Sequence, residues 1–156
     1  MSTRCQIGFY EEKPEGTEAL ENFEALLYHH SDGYPEGQHG IIGRLSPILK
    51  EFRVHRALTG ESEYLSRYVC CNLFEPESIL GGGISREFHF DIEFYYAIHP
   101  DGIDVYSCSD SIPENPPLGW HYLQTVSIGE GWKEKVEEVP EEESKPRVDF
   151  ELLGKI

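Results

Sequence analysis

The sequence predicts an α+β domain: a mainly antiparallel sheet with two helices packed on one face. Three observations lead there. Residues 4–10 and 88–99 alternate with the period of two that a strand requires. Residues 38–74 switch to the three-and-four spacing of amphipathic helices. Pro100-Asp101-Gly102 then joins the clearest strand to a hairpin partner. Helices grouped between strand pairs place both on one side of the sheet. The other side is expected to be polar and aromatic, and to be where a site could lie.

In chain order, Cys5, Ile7 and Phe9 share one face of a first strand at 4–10. Glu11 to Asn22, with Pro14 and Gly16, reads as a loop, and Phe23 to His30 as a second strand antiparallel to the first. Residues 31–37 are dense in turn formers. From Gln38 a helix follows, with Ile41, Ile42, Leu45, Ile48, Leu49 and Phe52 as its apolar stripe. Pro47 kinks it, or Ser46-Pro47 restarts it, and Thr59-Gly60 ends it. A second helix spans Ser62 to Phe74, with Pro76 marking its exit. Gly81-Gly82-Gly83 reads as a hinge, since no strand, helix or Lys-Ser/Thr context makes it a phosphate loop.

In the strand at 88–99, Phe88, Phe90, Ile92, Phe94, Tyr96 and Ile98 share one face, and the first four are expected to pack on the first helix. Ile103 to Cys108 returns as its hairpin partner. Residues 112–120 are a Pro-rich loop, 124–128 a further strand, 132–139 a short charged helix and 148–153 a last strand or a docking peptide. No internal repeat is visible.

At 156 residues the chain fits a single domain over 1–156. Its net charge of −16, from 29 acids against 13 bases, disfavours direct nucleic-acid binding. An acidic segment at about 133–147 is expected to be flexible, yet residues 130–147 hold seven Glu against four Lys or Arg, so most of the charge lies elsewhere. No apolar run approaches the roughly 20 residues of a membrane span, and the N-terminus lacks the apolar stretch of a secretory signal. A cytoplasmic location is the expectation. Four cysteines without a C-x-x-C pair exclude a disulfide scaffold, a zinc finger and a thioredoxin-like motif, leaving free thiols.

Candidate chemistry falls in two places. In His29-His30-Ser31-Asp32-Gly33-Tyr34-Pro35, a strand end meets a helix start. There His30 could act as a base, Asp32 as its orienting carboxylate and Tyr34 as a donor, while turn formation alone also explains Asp32 and Gly33. Arg4, the one base of the first strand, could lie beside Tyr28 or His30 and answer a phosphate or carboxylate, or pair with a surface acid. The second place is His89-x-Asp91-x-Glu93, whose side chains would share one strand face and could meet one ion. A solvated sheet face is the plainer account, and no cofactor is implied. No nucleophile motif is present.

Ser2-Thr3-Arg4 at the start, followed by Tyr28-x-His30-x-Asp32-Gly33-Tyr34-Pro35-x-Gly37 before a helix, resembles a loose group of short phage and prokaryotic proteins without an assigned activity. The resemblance covers about the first third of the chain. Ser31 stands where that group often carries Trp. The resemblance implies that Arg4, His30, Asp32, Gly33 and Tyr34 form one unit. Three functions are carried forward. The first is a small binding or accessory protein of a phage or mobile element, engaging a protein or small-molecule ligand. The second is a hydrolase of a phosphorylated small molecule acting through Arg4, His30 and Asp32. The third is an acidic inhibitor that imitates nucleic acid.

Overall fold

The computed structural model describes residues 3–37, 39–55, 62–74, 81–108 and 119–127. Along the chain these form β1 (Cys5–Phe9), a short 3-10 helix (Thr17–Asn22), β2 (Ala25–His29), α1 (Ile41–His55), α2 (Ser62–Leu73), β3 (Gly82–Ile84), β4 (Phe94–His99), β5 (Gly102–Ser107) and β6 (His121–Val126). The fold is α+β. One six-stranded sheet runs β3-β2-β1-β4-β5-β6. Neighbouring strands are antiparallel except β1 and β4. That parallel pair needs a crossover, and the helices between β2 and β3 belong to it.

Every residue of the central strand β1 is buried, because the sheet is covered on both sides. Cys5, Ile7 and Phe9 meet Tyr96 and Ile98 of β4 and the inner faces of both helices, including Ile41, Leu45, Val69 and Leu73. Pro47 sits inside a continuous α1, so the helix neither ends nor restarts there. Arg44 reaches from α1 to the last carbonyl of α2, donating to Leu73 O at 2.8 Å, and its other amino group lies 3.3 Å from His29 Nε2. A guanidinium at a helix C-terminus satisfies an orphan carbonyl and opposes the dipole.

The opposite face of the sheet is aromatic, as expected, but it is buried under a second layer. It carries a second core of Tyr10, Leu20, Leu26, Tyr95, Tyr106 and Trp120, among others. Residues 11–22, read as a loop, supply part of this cover through the 3-10 helix and its buried Leu20. Tyr10 Oη donates to Leu20 O at 2.6 Å and lies 2.5 Å from Tyr95 Oη, so the Tyr95 hydroxyl donates to it. Gly8 makes room for this pair: a Cβ there would fall 1.8 Å from Tyr95 Oη.

Two expectations about 81–99 are corrected. Gly82 and Gly83 belong to edge strand β3, so the triple glycine is no hinge. A Cβ on Gly82 would lie 2.2 Å from the Phe74 ring and 2.4 Å from Tyr28 O, which fixes glycine at that position. The strand expected at 88–99 begins only at Phe94. Phe88 and Ile92 insert into the second core, away from α1, while Phe90 is 46% exposed. Only Phe94 of the four expected partners packs on the helix side.

The β4–β5 hairpin holds a buried polar pair. His99 Nδ1 accepts the Asp101 amide at 3.1 Å, which leaves the ring proton on Nε2, 3.0 Å from Asp104 Oδ1 though off the line of an ideal hydrogen bond. Thr125 donates to the same carboxylate at 2.6 Å. Burial pushes the Asp104 carboxyl up, but the bonds from His99 and Thr125 and the nearby positive charge outweigh it and hold it below the usual carboxylate value. All four cysteines are free; burial raises the Cys5 and Cys108 thiols far above their ordinary range, while Cys71 is exposed.

No helix among the described residues is long and apolar enough to cross a membrane. The strand expected at 124–128 starts earlier, at His121, and runs to Val126. The expectations for Thr59-Gly60, Pro76, 112–118, 132–139, the acidic 133–147 and 148–153 lie outside the described residues.

Candidate functional site

The residues singled out in the sequence gather at one end of the sheet but do not form one unit. Arg4 leads into β1 and donates to Asp91 Oδ2 at 2.8 Å. His30 follows β2, and its Nδ1 lies 3.1 Å from the Tyr28 hydroxyl. Asp32 occupies the turn with φ of 54°, a left-handed conformation that Asp tolerates better than most residues. Its carboxylate acts electrostatically on His29. Gly33 donates to Thr3 O at 2.9 Å, and Tyr34 O accepts the Ile41 amide at 2.9 Å, so this loop ties the start of β1 to the first turn of α1. No hydrogen bond or ion pair joins Arg4, His30, Asp32 and Tyr34 to one another.

His89, Asp91 and Glu93 precede β4 rather than lying along it. His89 Nδ1 is 3.9 Å from Asp91 Oδ1, and the Asp91 carboxylate is shared with Arg4. Among the described residues, no group of three or more His, Cys, Asp or Glu is placed to hold a metal ion.

A different constellation emerges around residues 81–90. Gln6, fully buried on β1, donates from Nε2 to Glu87 O at 3.0 Å and accepts the His89 amide on Oε1 at 2.8 Å. One side-chain amide thus holds this connector against the sheet. The His89 ring then stacks on Tyr28, with centroids 4.9 Å apart, and Phe88 anchors the segment edge-on to Tyr95 and Trp120.

Three adjoining clefts open along the connector. The first, of about 470 Å³, is lined by Phe23, Arg86, His89 and Phe90 among others. The second, of about 310 Å³, shares Arg86 and His89 with it and continues to Tyr28 and Ile84. The third, of about 490 Å³, shares Ile84 and Ser85 with the second and Phe23 with the first, and is backed by Cys70 and Cys71 of α2. Ile84 pairs with Leu27, which belongs to the helix-side core, and Gly83 pairs with Tyr28 of the opposite face. The clefts therefore lie on both sides of one strand.

The chain matches no known protein family, curated protein or solved structure. Its site must be read from its own geometry.

That strand is β3, the end of the sheet. His30 N donates to Gly81 O and Ser85 N to Leu26 O, both at 2.8 Å. Because antiparallel bonding alternates, the peptide groups of Gly82 and Ile84 point away from β2. Among the described residues no strand pairs with that outer side. Ile84 itself is 87% exposed, more than any other large apolar residue described. Sequence reasoning passed over this edge. Its signal was a single Ile set between three glycines and Ser-Arg-Glu, too short to carry a period.

Proposed function

We propose that the protein is a small acidic binding or accessory protein, without chemistry of its own, that holds an extended segment of a partner polypeptide along the outer edge of β3. The observation that carries this reading is the placement of clefts on both sides of one edge strand. An added strand takes its main-chain bonds from outward peptide groups, and its side chains alternate between the two faces. Here Gly82 and Ile84 offer the peptide groups, and the clefts at Tyr28–His89 and at Phe23–Cys70 offer the two faces. The apolar residues exposed at the site, Ile84 and Phe90, suit a partner rather than solvent.

The hydrolase reading loses support, because Arg4 is engaged by Asp91 and His30 by Tyr28. The resemblance of the first third to short phage and prokaryotic proteins supports a role beside the machinery of a mobile element.

The test is retention of a randomised hexapeptide library by the immobilised full chain and by Ile84→Asp. Since Ile84 is exposed, the variant is expected to keep its circular dichroism and lose retention. Undiminished retention by a folded Ile84→Asp protein would overturn the reading.

A further inference from the structure

The second cleft is the chemical exception among the three described. Acids outnumber bases 29 to 13, yet the cleft beside β3 is lined by Arg86 and His89 and by no carboxylate. Ser85 adds a hydroxyl group to the same lining, and the Tyr28 ring, its hydroxyl 3.1 Å from His30 Nδ1, forms one wall. The main chain and the imidazole are held in place. Gln6 fixes the main chain at Glu87 and His89, and stacking on Tyr28 sets the imidazole. Glu21 and Glu87 line the adjoining first cleft, which shares Arg86 and His89, while Asp91, beside His89, is paired with Arg4. A guanidinium and a stacked imidazole beside the Ser85 hydroxyl make a seat for an oxyanion, and Arg is the side chain best shaped to receive a carboxylate in two parallel bonds.

We infer that this cleft receives the terminal carboxylate of the partner segment, so that the protein recognises the C-terminal end of a polypeptide. The inference rests on the proposed docking of that segment along β3. The outward peptide groups of Gly82 and Ile84 adjoin the cleft, so one occupant reaches both. Charge complementarity is local here: the chain as a whole, at −16, repels a carboxylate, whereas the lining of this cleft offers Arg86 and His89 and no acid.

The experiment uses the full chain and two forms of the same hexapeptide library, one ending in a free carboxylate and the other in a carboxamide. The wild-type protein is expected to retain the free-acid form about tenfold better or more, the effect of one charge-assisted hydrogen bond. Arg86→Gln is expected to erase that preference while keeping the fold, since Arg86 is exposed. The net charge alone would favour the carboxamide form, so a free-acid preference reports the local cations. Equal retention of the two forms, a carboxamide preference, or a preference that survives Arg86→Gln overturns the carboxylate seat. If Ile84→Asp still abolishes retention in those cases, the docking along β3 stands without it. Retention of neither form overturns both.

Discussion

Gln6 lies in the most buried strand of the sheet, and its amide bonds on both sides, once as donor to Glu87 O and once as acceptor from the His89 amide. Replacing it by Leu keeps a similar volume but leaves two part-buried main-chain groups without this partner. Gln6→Leu is predicted to cost about 1–2 kcal/mol in a urea titration, the worth of two part-buried hydrogen bonds. Because that amide also sets the connector, the same variant is predicted to weaken peptide retention more than its stability loss explains. His29 and Asp104 give the pH dependence. Burial first, and then the Arg44 charge, lower the His29 imidazole below its usual 6.5. The folded protein thus binds fewer protons there than the unfolded chain, so stability falls as pH drops below that value. Asp104 is held below its usual 3.8, so its contribution is present above that value and is lost as pH falls through the lower folded one. Two declines are expected in the urea midpoint, and His29→Gln should remove the first and leave the second. A wild-type midpoint level between about pH 7 and 5 would contradict the assignment to His29.

At the scale of elements, β4 and its preceding connector separate what was legible from what was not. Phe94, Tyr96 and Ile98 do face the helices, as the alternation predicts. The same alternation runs back through Ile92, Phe90 and Phe88, yet sheet pairing ends near the Glu93 amide, which donates to Arg4 O at 2.9 Å. Beyond that point the chain folds over the other face, and Phe88 and Ile92 enter the second core. Periodicity reports which residues seek burial; it does not report which layer buries them. The structure therefore predicts different outcomes for two alternating residues. Ile92→Ala should cost about 2–5 kcal/mol, as other large-to-small core changes do, and Phe90→Ala less than about 0.5. Equal costs in chemical denaturation would place both on one face and restore the long strand. The helices were legible because each carries its stripe over several turns, with Pro47 tolerated inside α1. Of the candidate site, Arg4 and His30 could be named, but their partners could not. Arg4 meets Asp91 across 87 positions, and no local pattern encodes such a pair.

For the whole molecule, the sheet is sealed on both faces by two cores, so its open chemistry moves to its edges. One edge, β6, carries exposed Tyr122 and Leu123 and a bulge opposite Val105 and Tyr106, and bulges blunt edge pairing. The other, β3, pairs over three residues without a register shift and is flanked by clefts on each side. Amide hydrogen exchange at β3 reports strand addition there residue by residue. The amides of Gly82 and Ile84 point outward, whereas the Gly83 amide is already turned toward Tyr28. Adding a saturating hexapeptide recovered from the free-acid library is predicted to slow exchange at Gly82 and Ile84 and to leave Gly83 little changed. Unaltered exchange at Gly82 and Ile84 with the peptide bound would contradict strand addition at this edge.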